Sequence, residues 1–144
     1  MQIRQFMEQY GRKTEEIEAL QAKIAELRAH AEKCTSVLSL APGGNAYNDS
    51  RMEALVVKIN DLEQQLGILW EERGRIYIET VSLLCEIPTD ICRQLLMLRY
   101  LEGFSIEEIT EQVEWGKSYI YKMLNQGLEE TEQLLKKKNR KKQP

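Results

Sequence analysis

Two long apolar series with a shared rhythm constrain the fold of this chain more than any other feature. Apolar residues recur at steps of three and four from Ile3 to Cys34, and again from Met52 to Leu83. Steps of this kind place apolar side chains on one stripe of a helix, as in the seam of a coiled coil. The segment between the series, at residues 41–50, contains a proline, paired glycines and asparagines, which end helices and form loops.

This pattern predicts an antiparallel helical hairpin with coiled-coil packing over residues 1–87. Two long helices joined by a short loop pack antiparallel. We expect the loop near 39–50, with Asp49 or Ser50 as the cap of the second helix. The composition agrees, because 30% of the residues are charged and only three are proline, which suits long amphipathic helices. The predicted fold class of the whole chain is all-α.

The residue numbers indicate how the two helices pair. In an antiparallel hairpin, paired seam residues have a constant sum of residue numbers, and Leu20 with Leu66 gives 86. The charged interruptions of the two series, Lys13 and Arg73, give the same sum, so both defects fall in one layer. Two cations in one layer need anions, and we predict an ion cluster there. The acidic residues that flank this layer are Glu16 and Glu72.

The second helix of the hairpin carries an additional apolar face near its C-terminal end. Because a hairpin seam uses only one stripe, this face must be covered by the C-terminal helices or by a second copy of the chain. We favour the C-terminal helices and keep a homodimer through the hairpin as the alternative. The residues of the face are Trp70, Tyr77, Ile78, Val81 and Leu84.

The net charge of −3 is distributed unevenly. Residues 136–144 contain six basic residues and no acidic residue, which leaves −9 on the rest of the chain. A basic segment on an acidic body is typical of contact with a polyanion, so we predict a disordered tail that contacts the DNA backbone. The alternative is a disordered terminus that only improves solubility. The basic residues are Lys136, Lys137, Lys138, Arg140, Lys141 and Lys142.

Several classes of function are not supported by the sequence. The chain has one histidine, three cysteines and no CxxC pair, so we expect no metal site. It has no Gly-rich phosphate loop and no nucleophile with a histidine partner, so we expect no enzymatic activity, cofactor or small-molecule ligand. No apolar stretch approaches the roughly 18 residues of a membrane span, and no signal peptide is visible. These observations predict a cytoplasmic protein without membrane contact.

The C-terminal third begins at Pro88. This proline should end the second helix near Ile87, with Thr89 or Asp90 as the cap of the next helix. That helix is expected to end at Gly103.

Two further helices follow. Ser105 and Glu108 have the spacing of a capping box, which predicts a short helix. Trp115-Gly116 is expected to form the turn, and the last helix should begin at Lys117 or Ser118. A short helix, a tight turn and a longer helix are typical of a helix-turn-helix unit, although an ordinary three-helix bundle has the same pattern.

The segment LLMLRYLEGFSIEEITEQVEWGKSYIYKMLNQGLEETEQLL resembles region 4 of primary and extracytoplasmic sigma factors. Arg99 to Gly103 matches the R-Y/F-x-x-G helix end of that family, and Ser105 to Ile109 matches its capping motif. Thr110 and Gly127 stand where alanine is usual. The resemblance covers about residues 88–135. The whole layout is also similar to small sigma-like proteins of phages and prophages of Gram-positive bacteria, several of which are described as activators of late phage genes.

This resemblance implies that the first turns of the last helix enter the major groove of double-stranded DNA. No acidic residue occurs from Trp115 to Leu128, which fits a surface that faces phosphate. That stretch has only two lysines, so we expect weak, salt-sensitive binding by the protein alone. The predicted DNA-contacting residues are Lys117, Ser118, Tyr119, Tyr121, Lys122, Asn125 and Gln126.

We therefore predict a sequence-specific DNA-binding transcription regulator, a sigma-like activator that acts with RNA polymerase. One alternative is a protein that binds RNA polymerase or a sigma factor without reading DNA, because region 4 also docks onto the polymerase. A second alternative is a DNA-packaging protein of the small terminase type, which also joins a helix-turn-helix to a helical hairpin. In that class the DNA-binding module usually comes first, so the order of elements in this chain argues against it.

Overall fold

The chain is all-α, as the sequence predicts. The computed structural model describes residues 2–40 and 46–142, and the side chains of residues 2–34 and 50–142; these residues form five helices and no strand. No helix in this described part is long and apolar enough to cross a membrane. The helices are α1 (Ile3–Leu40), α2 (Ala46–Leu84), α3 (Asp90–Leu96, continued by a π-helical segment Met97–Leu101), α4 (Ile106–Val113) and α5 (Lys117–Lys142).

Helix α2 begins earlier than predicted. Its first residue is Ala46, so Asp49 and Ser50 lie inside the helix, and the prediction that one of them caps it is wrong. Polar residues are tolerated in a first turn, where the backbone N–H groups have no intrahelical acceptor. The centre of the predicted loop, residues 41–45, lies outside the described residues.

The chain divides into two compact units. One unit is Lys13–Glu72, and the other combines Met1–Arg12 with Arg73–Pro144. This division differs from the predicted boundary between residues 87 and 88. The reason is packing, because Met7 and Leu84 are buried in the same core as the C-terminal helices.

The unit Lys13–Glu72 has a small apolar core between α1 and α2. Ile17, Ile24, Leu62 and Leu66 are buried there. Four partly buried residues complete the cluster, and they are Leu20, Leu27, Ile59 and Leu69. All eight belong to the two apolar series of the sequence, and each has a partner in the cluster with which its residue number sums to 86.

The charged layer of this unit forms as an ion cluster. The Lys13 ammonium lies 2.8 Å from a Glu72 carboxylate oxygen and 3.3 Å from one of Glu16. The hydrogen bond to Glu72 is the main cause that raises the pKa of Lys13 above its usual value. In the other unit, the Arg73 guanidinium stacks 5.6 Å from the ring centre of Tyr10, so this cation makes a cation–π contact.

The end of α2 is fixed by an arginine of α3. Helix α2 ends at Leu84, three residues before the predicted end. The Arg93 guanidinium donates to the Leu84 carbonyl (3.1 Å) and to the Ile87 carbonyl (3.0 Å). The Leu84 carbonyl also accepts from the Ile87 backbone N–H at 3.2 Å, and a basic side chain at this position favours the negative end of the helix dipole.

The unit that combines Met1–Arg12 with Arg73–Pro144 is built around the contact between α3 and α5. An ideal Cβ at Gly127 would lie 2.9 Å from Leu96 Cδ1 and 3.0 Å from Cys92 Cβ, so an added methyl group would force these side chains to shift. Thr131 is fully buried one turn later, and its hydroxyl donates to the Gly127 carbonyl at 2.7 Å. Other buried residues of this core are Leu84, Ile87, Leu95, Ile106, Ile109, Ile120, Met123, Leu124 and Leu128.

The additional apolar face of α2 is only partly covered. Leu84 is buried, as expected for contact with the C-terminal helices, and Val81 is half-buried. Trp70, Tyr77 and Ile78 keep 47%, 46% and 65% of their surface exposed. The expectation that the C-terminal helices cover the whole face is therefore wrong for Tyr77 and Ile78, which lie about two turns before Leu84 along α2.

Gly127→Ala should lower the free energy of unfolding by about 1–3 kcal/mol, because the added methyl overpacks a filled contact. Gly74→Ala is the matched control, since nothing lies within 4 Å of a Cβ built there. This control should raise stability by up to about 1 kcal/mol through helix propensity. Chemical denaturation of both variants measures the difference, and equal effects of the two substitutions would contradict the tight α3–α5 contact.

Candidate nucleic-acid interface

Helix α4 begins with the capping box that the sequence predicts. The Glu108 backbone N–H donates to Ser105 Oγ at 3.2 Å, and the Ser105 N–H donates to Glu108 Oε1 at 3.4 Å. Two backbone donors that have no helical acceptor are thereby satisfied. Ile106 and Ile109 are buried on the inner face of α4. The cap and these two residues fix where α4 starts and which face it turns inward.

The turn between α4 and α5 is made differently from the prediction. Glu114, with φ of 57°, takes the left-handed conformation, whereas Gly116 has no positive φ. Helix α4 ends one residue earlier than the Trp115-Gly116 turn implies, and the residue that follows a helix end commonly adopts this conformation. Trp115 is half-buried against the core and meets Tyr119 edge to face, with ring centres 5.4 Å apart.

The first turns of α5 present their predicted residues to solvent. Ile120, Met123 and Leu124 are buried on the inner face of the helix. All seven residues predicted to contact DNA are exposed on the other side, and they are Lys117, Ser118, Tyr119, Tyr121, Lys122, Asn125 and Gln126. The exposed face is free of acidic residues over this stretch.

Three of these seven side chains form hydrogen bonds or ion pairs within the protein: Lys117, Gln126 and, with Arg4, Asn125. Lys117 forms an ion pair with Glu107 of α4 at 3.0 Å. Gln126 donates to Glu130 (3.2 Å) and to Thr89 (3.5 Å), so it lies on the flank that faces α3. Thr89 occupies the cap position of α3 as predicted, but its hydroxyl donates to Glu130 and makes no cap hydrogen bond. Of the seven residues, Gln126 is therefore the least available to a nucleic acid.

Arg4 belongs to this surface and was missed by the sequence analysis. One of its guanidinium nitrogens donates to the Asn125 side-chain oxygen at 3.4 Å. The first turns of α1 are held in place because Met7 is buried in the core of this unit and Phe6 packs against it. The available signal was Met7, an apolar residue outside the hairpin stripe, which indicates a second buried face at the start of α1.

Arg99 and Tyr100 lie in the π-helical segment, and both have a structural role. The Arg99 guanidinium donates to the Phe104 carbonyl at 3.0 Å, which closes the loop before α4. Tyr100 packs against the core, and burial raises the pKa of its phenol. Glu8 raises this pKa further, while Arg4 lowers it. Tyr100 thus packs against the core of this unit.

The basic C-terminal segment is helical and was predicted to be disordered. Helix α5 continues through Lys142, so the prediction is wrong for the described part of this segment. No glycine or proline lies between Gly127 and Lys142, and basic residues stabilise the C-terminal end of a helix. Lys138 also forms an ion pair with Glu86 at 2.7 Å, and Lys136 forms one with Glu132 at 3.5 Å.

No group of His, Cys, Asp or Glu residues within residues 2–40 and 46–142 has the arrangement of a metal site. Comparison of the chain with protein-family models, with curated proteins and with solved structures found no match.

The ion pair of Glu107 should be visible in its titration. The hydrogen bond from Lys117 is the main cause that lowers the pKa of Glu107 below 4.5. A lowered carboxyl pKa means that the pair stabilises the fold at higher pH and loses its effect as the pH falls through that pKa. In Lys117→Ala, the pKa of Glu107 should return toward 4.5, measured by NMR. An unchanged pKa in this variant would show that the pair does not form.

Proposed function

We propose that the chain is a sequence-specific DNA-binding transcription regulator that resembles sigma-factor region 4 and acts together with RNA polymerase. The observation that carries the proposal is the exposed, acid-free face on the first turns of α5, which follows a three-residue turn after α4. Such a helix pair allows the second helix to enter the major groove. The resemblance of residues 88–135 to region 4 supports the same placement.

The side chains on this face have the chemistry that base and phosphate contacts require. Asn125 can form two hydrogen bonds with the edge of an adenine, and Lys122 can reach a guanine or a phosphate. Tyr121, which is 52% exposed, can donate to a phosphate or pack on a thymine methyl group. Arg4 would add a cation beside Asn125. Gln126 is the least suitable of the predicted contacts, because Glu130 and Thr89 hold it.

The number of available cations favours the need for a partner. Lys117 is paired with Glu107, which leaves Lys122 and Arg4 as the main positive groups near Asn125. Each phosphate contact contributes about one unit to the salt dependence of binding, so two or three contacts give weak binding at physiological salt. RNA polymerase bound at a promoter would supply the remaining affinity.

The basic end of α5 is not part of this DNA contact. Tyr119 and Lys137 are separated by eighteen steps along the chain, which correspond to about 27 Å along the helix axis at 1.5 Å per residue. The major groove is only about 12 Å wide and 8.5 Å deep, so a straight helix that enters it with its first turns leaves the duplex well before Lys137. Within this proposal, the tail therefore does not contact the DNA backbone, in contrast to the expectation from the sequence.

Binding to DNA should depend on the face of α5. The probes are fluorescent duplexes recovered from a random-sequence pool by selection with the full chain, and binding is measured by anisotropy between about 50 and 200 mM salt. Lys122→Ala should reduce the salt slope by about one, and Asn125→Ala should cost about 1–3 kcal/mol on the selected sequence.

Lys58→Ala is the matched control, because this exposed lysine lies on α2 in the other unit. It should leave both affinity and salt slope unchanged. No enrichment of duplexes at low salt, or equal binding by all three variants, would contradict DNA reading. Capture of the full chain by RNA polymerase under those conditions would then favour the alternative of a polymerase-binding protein.

Arg4 should contribute to affinity without choosing the sequence. Arg4→Ala is expected to weaken binding to every duplex by a similar factor and to reduce the salt slope by about one, as for a phosphate contact. Arg12→Ala removes the same charge from the same helix, and its guanidinium donates to the Gln5 carbonyl. That control should match the wild-type protein. A loss confined to the selected sequence would instead assign Arg4 to base recognition.

A further inference from the structure

A groove lies between Pro88 and the C-terminal half of α5, away from the proposed DNA-contacting face. It has a volume of about 350 Å³. Its floor contains Pro88 and Leu134, and its walls contain Glu130, Lys137 and Arg140. We call it the Pro88 groove. Its lining thus combines apolar surface with positive charge on a chain whose net charge is −3.

The cations of the groove are available to a ligand. Lys138 and Lys136 have acidic partners within the chain, at Glu86 and Glu132. Lys137 and Arg140 both line the groove, and neither has an acidic partner among the described residues. Unpaired cations beside an apolar floor favour an anionic partner that also carries apolar groups.

The wall of the groove also contains an unsatisfied acceptor. Glu130 Oε1 accepts hydrogen bonds from Thr89 at 2.8 Å and from Gln126 at 3.2 Å. The other oxygen, Oε2, is buried and has no donor among the described residues. A buried acceptor without a donor costs about 1–3 kcal/mol, but this oxygen is closed to solvent and therefore offers no contact to a ligand in the groove.

We propose that the Pro88 groove binds an acidic peptide segment of a protein partner. In this complex, carboxylates of the peptide pair with Lys137 and Arg140, and an apolar side chain packs on Pro88 and Leu134. The charge of the walls and the apolar floor select this occupant over a nucleic acid, which offers phosphates at a regular spacing but no aliphatic side chain. The proposal goes beyond DNA binding and stands without it.

The test uses the full chain and a fluorescent peptide with one leucine between pairs of Asp and Glu, followed by anisotropy. The double variant Lys137→Ala, Arg140→Ala should weaken binding about tenfold, which corresponds to about 1.4 kcal/mol for two partly exposed ion pairs. The double variant Lys141→Ala, Lys142→Ala removes the same charge from the same helix outside the groove lining. It should weaken binding less than about twofold.

The apolar contact is tested on the peptide, so that the core of the protein stays intact. Replacement of the leucine by serine in the peptide should weaken binding several-fold. Equal losses in the two double variants, or equal binding of both peptides, would overturn the proposal, since both indicate attraction by net charge alone. A mixed-sequence duplex that competes with the peptide and depends on Lys137 and Arg140 but not on Lys122 would assign the groove to nucleic acid instead.

Discussion

The close approach of α3 and α5 at Gly127 is the contact on which the rest of the C-terminal unit depends. Because glycine has no Cβ, α5 lies directly on Cys92 and Leu96, and this fixes its rotation about its own axis. Ile120 and Leu124 then point into the core, and Lys122 and Asn125 point to solvent. Packing of this density tolerates few alternatives, so the core, and not surface contacts, sets which face of α5 is exposed.

The same rigidity decides which polar groups can act on a ligand. Lys117 forms an ion pair with Glu107, and Gln126 donates a hydrogen bond to Glu130. These two predicted DNA contacts therefore already have partners within the protein. Arg4 partly compensates, because the burial of Met7 carries the start of α1 to Asn125. The surface therefore has suitable groups for base contacts and few free cations, which is the balance expected of a module that depends on a larger assembly for affinity.

The features set by local sequence were predictable, and those set by distant contacts were not. The capping box at Ser105 and the buried stripe of α5 follow from residues close together in the chain. The position of Arg4 depends on a contact with Asn125, 121 residues away, and the local pattern, with Met7 outside the hairpin stripe, indicates only a second buried face at the start of α1. The tail was predicted to be disordered because six basic residues close together repel one another. In the structure these residues extend an existing helix, and the ion pair between Lys138 and Glu86 stabilises this extension.

The continuity of α5 has a consequence for how the two ends of the helix would work together. One uninterrupted helix carries the acid-free face at its start and the basic groove wall at its end, so the two surfaces are held at a fixed distance and rotation. A flexible tail would have added affinity for the same duplex. A rigid one instead directs its charge away from the duplex, toward whatever protein lies beside it. Within the proposed function, α5 is therefore a spacer that orients a protein partner relative to the DNA.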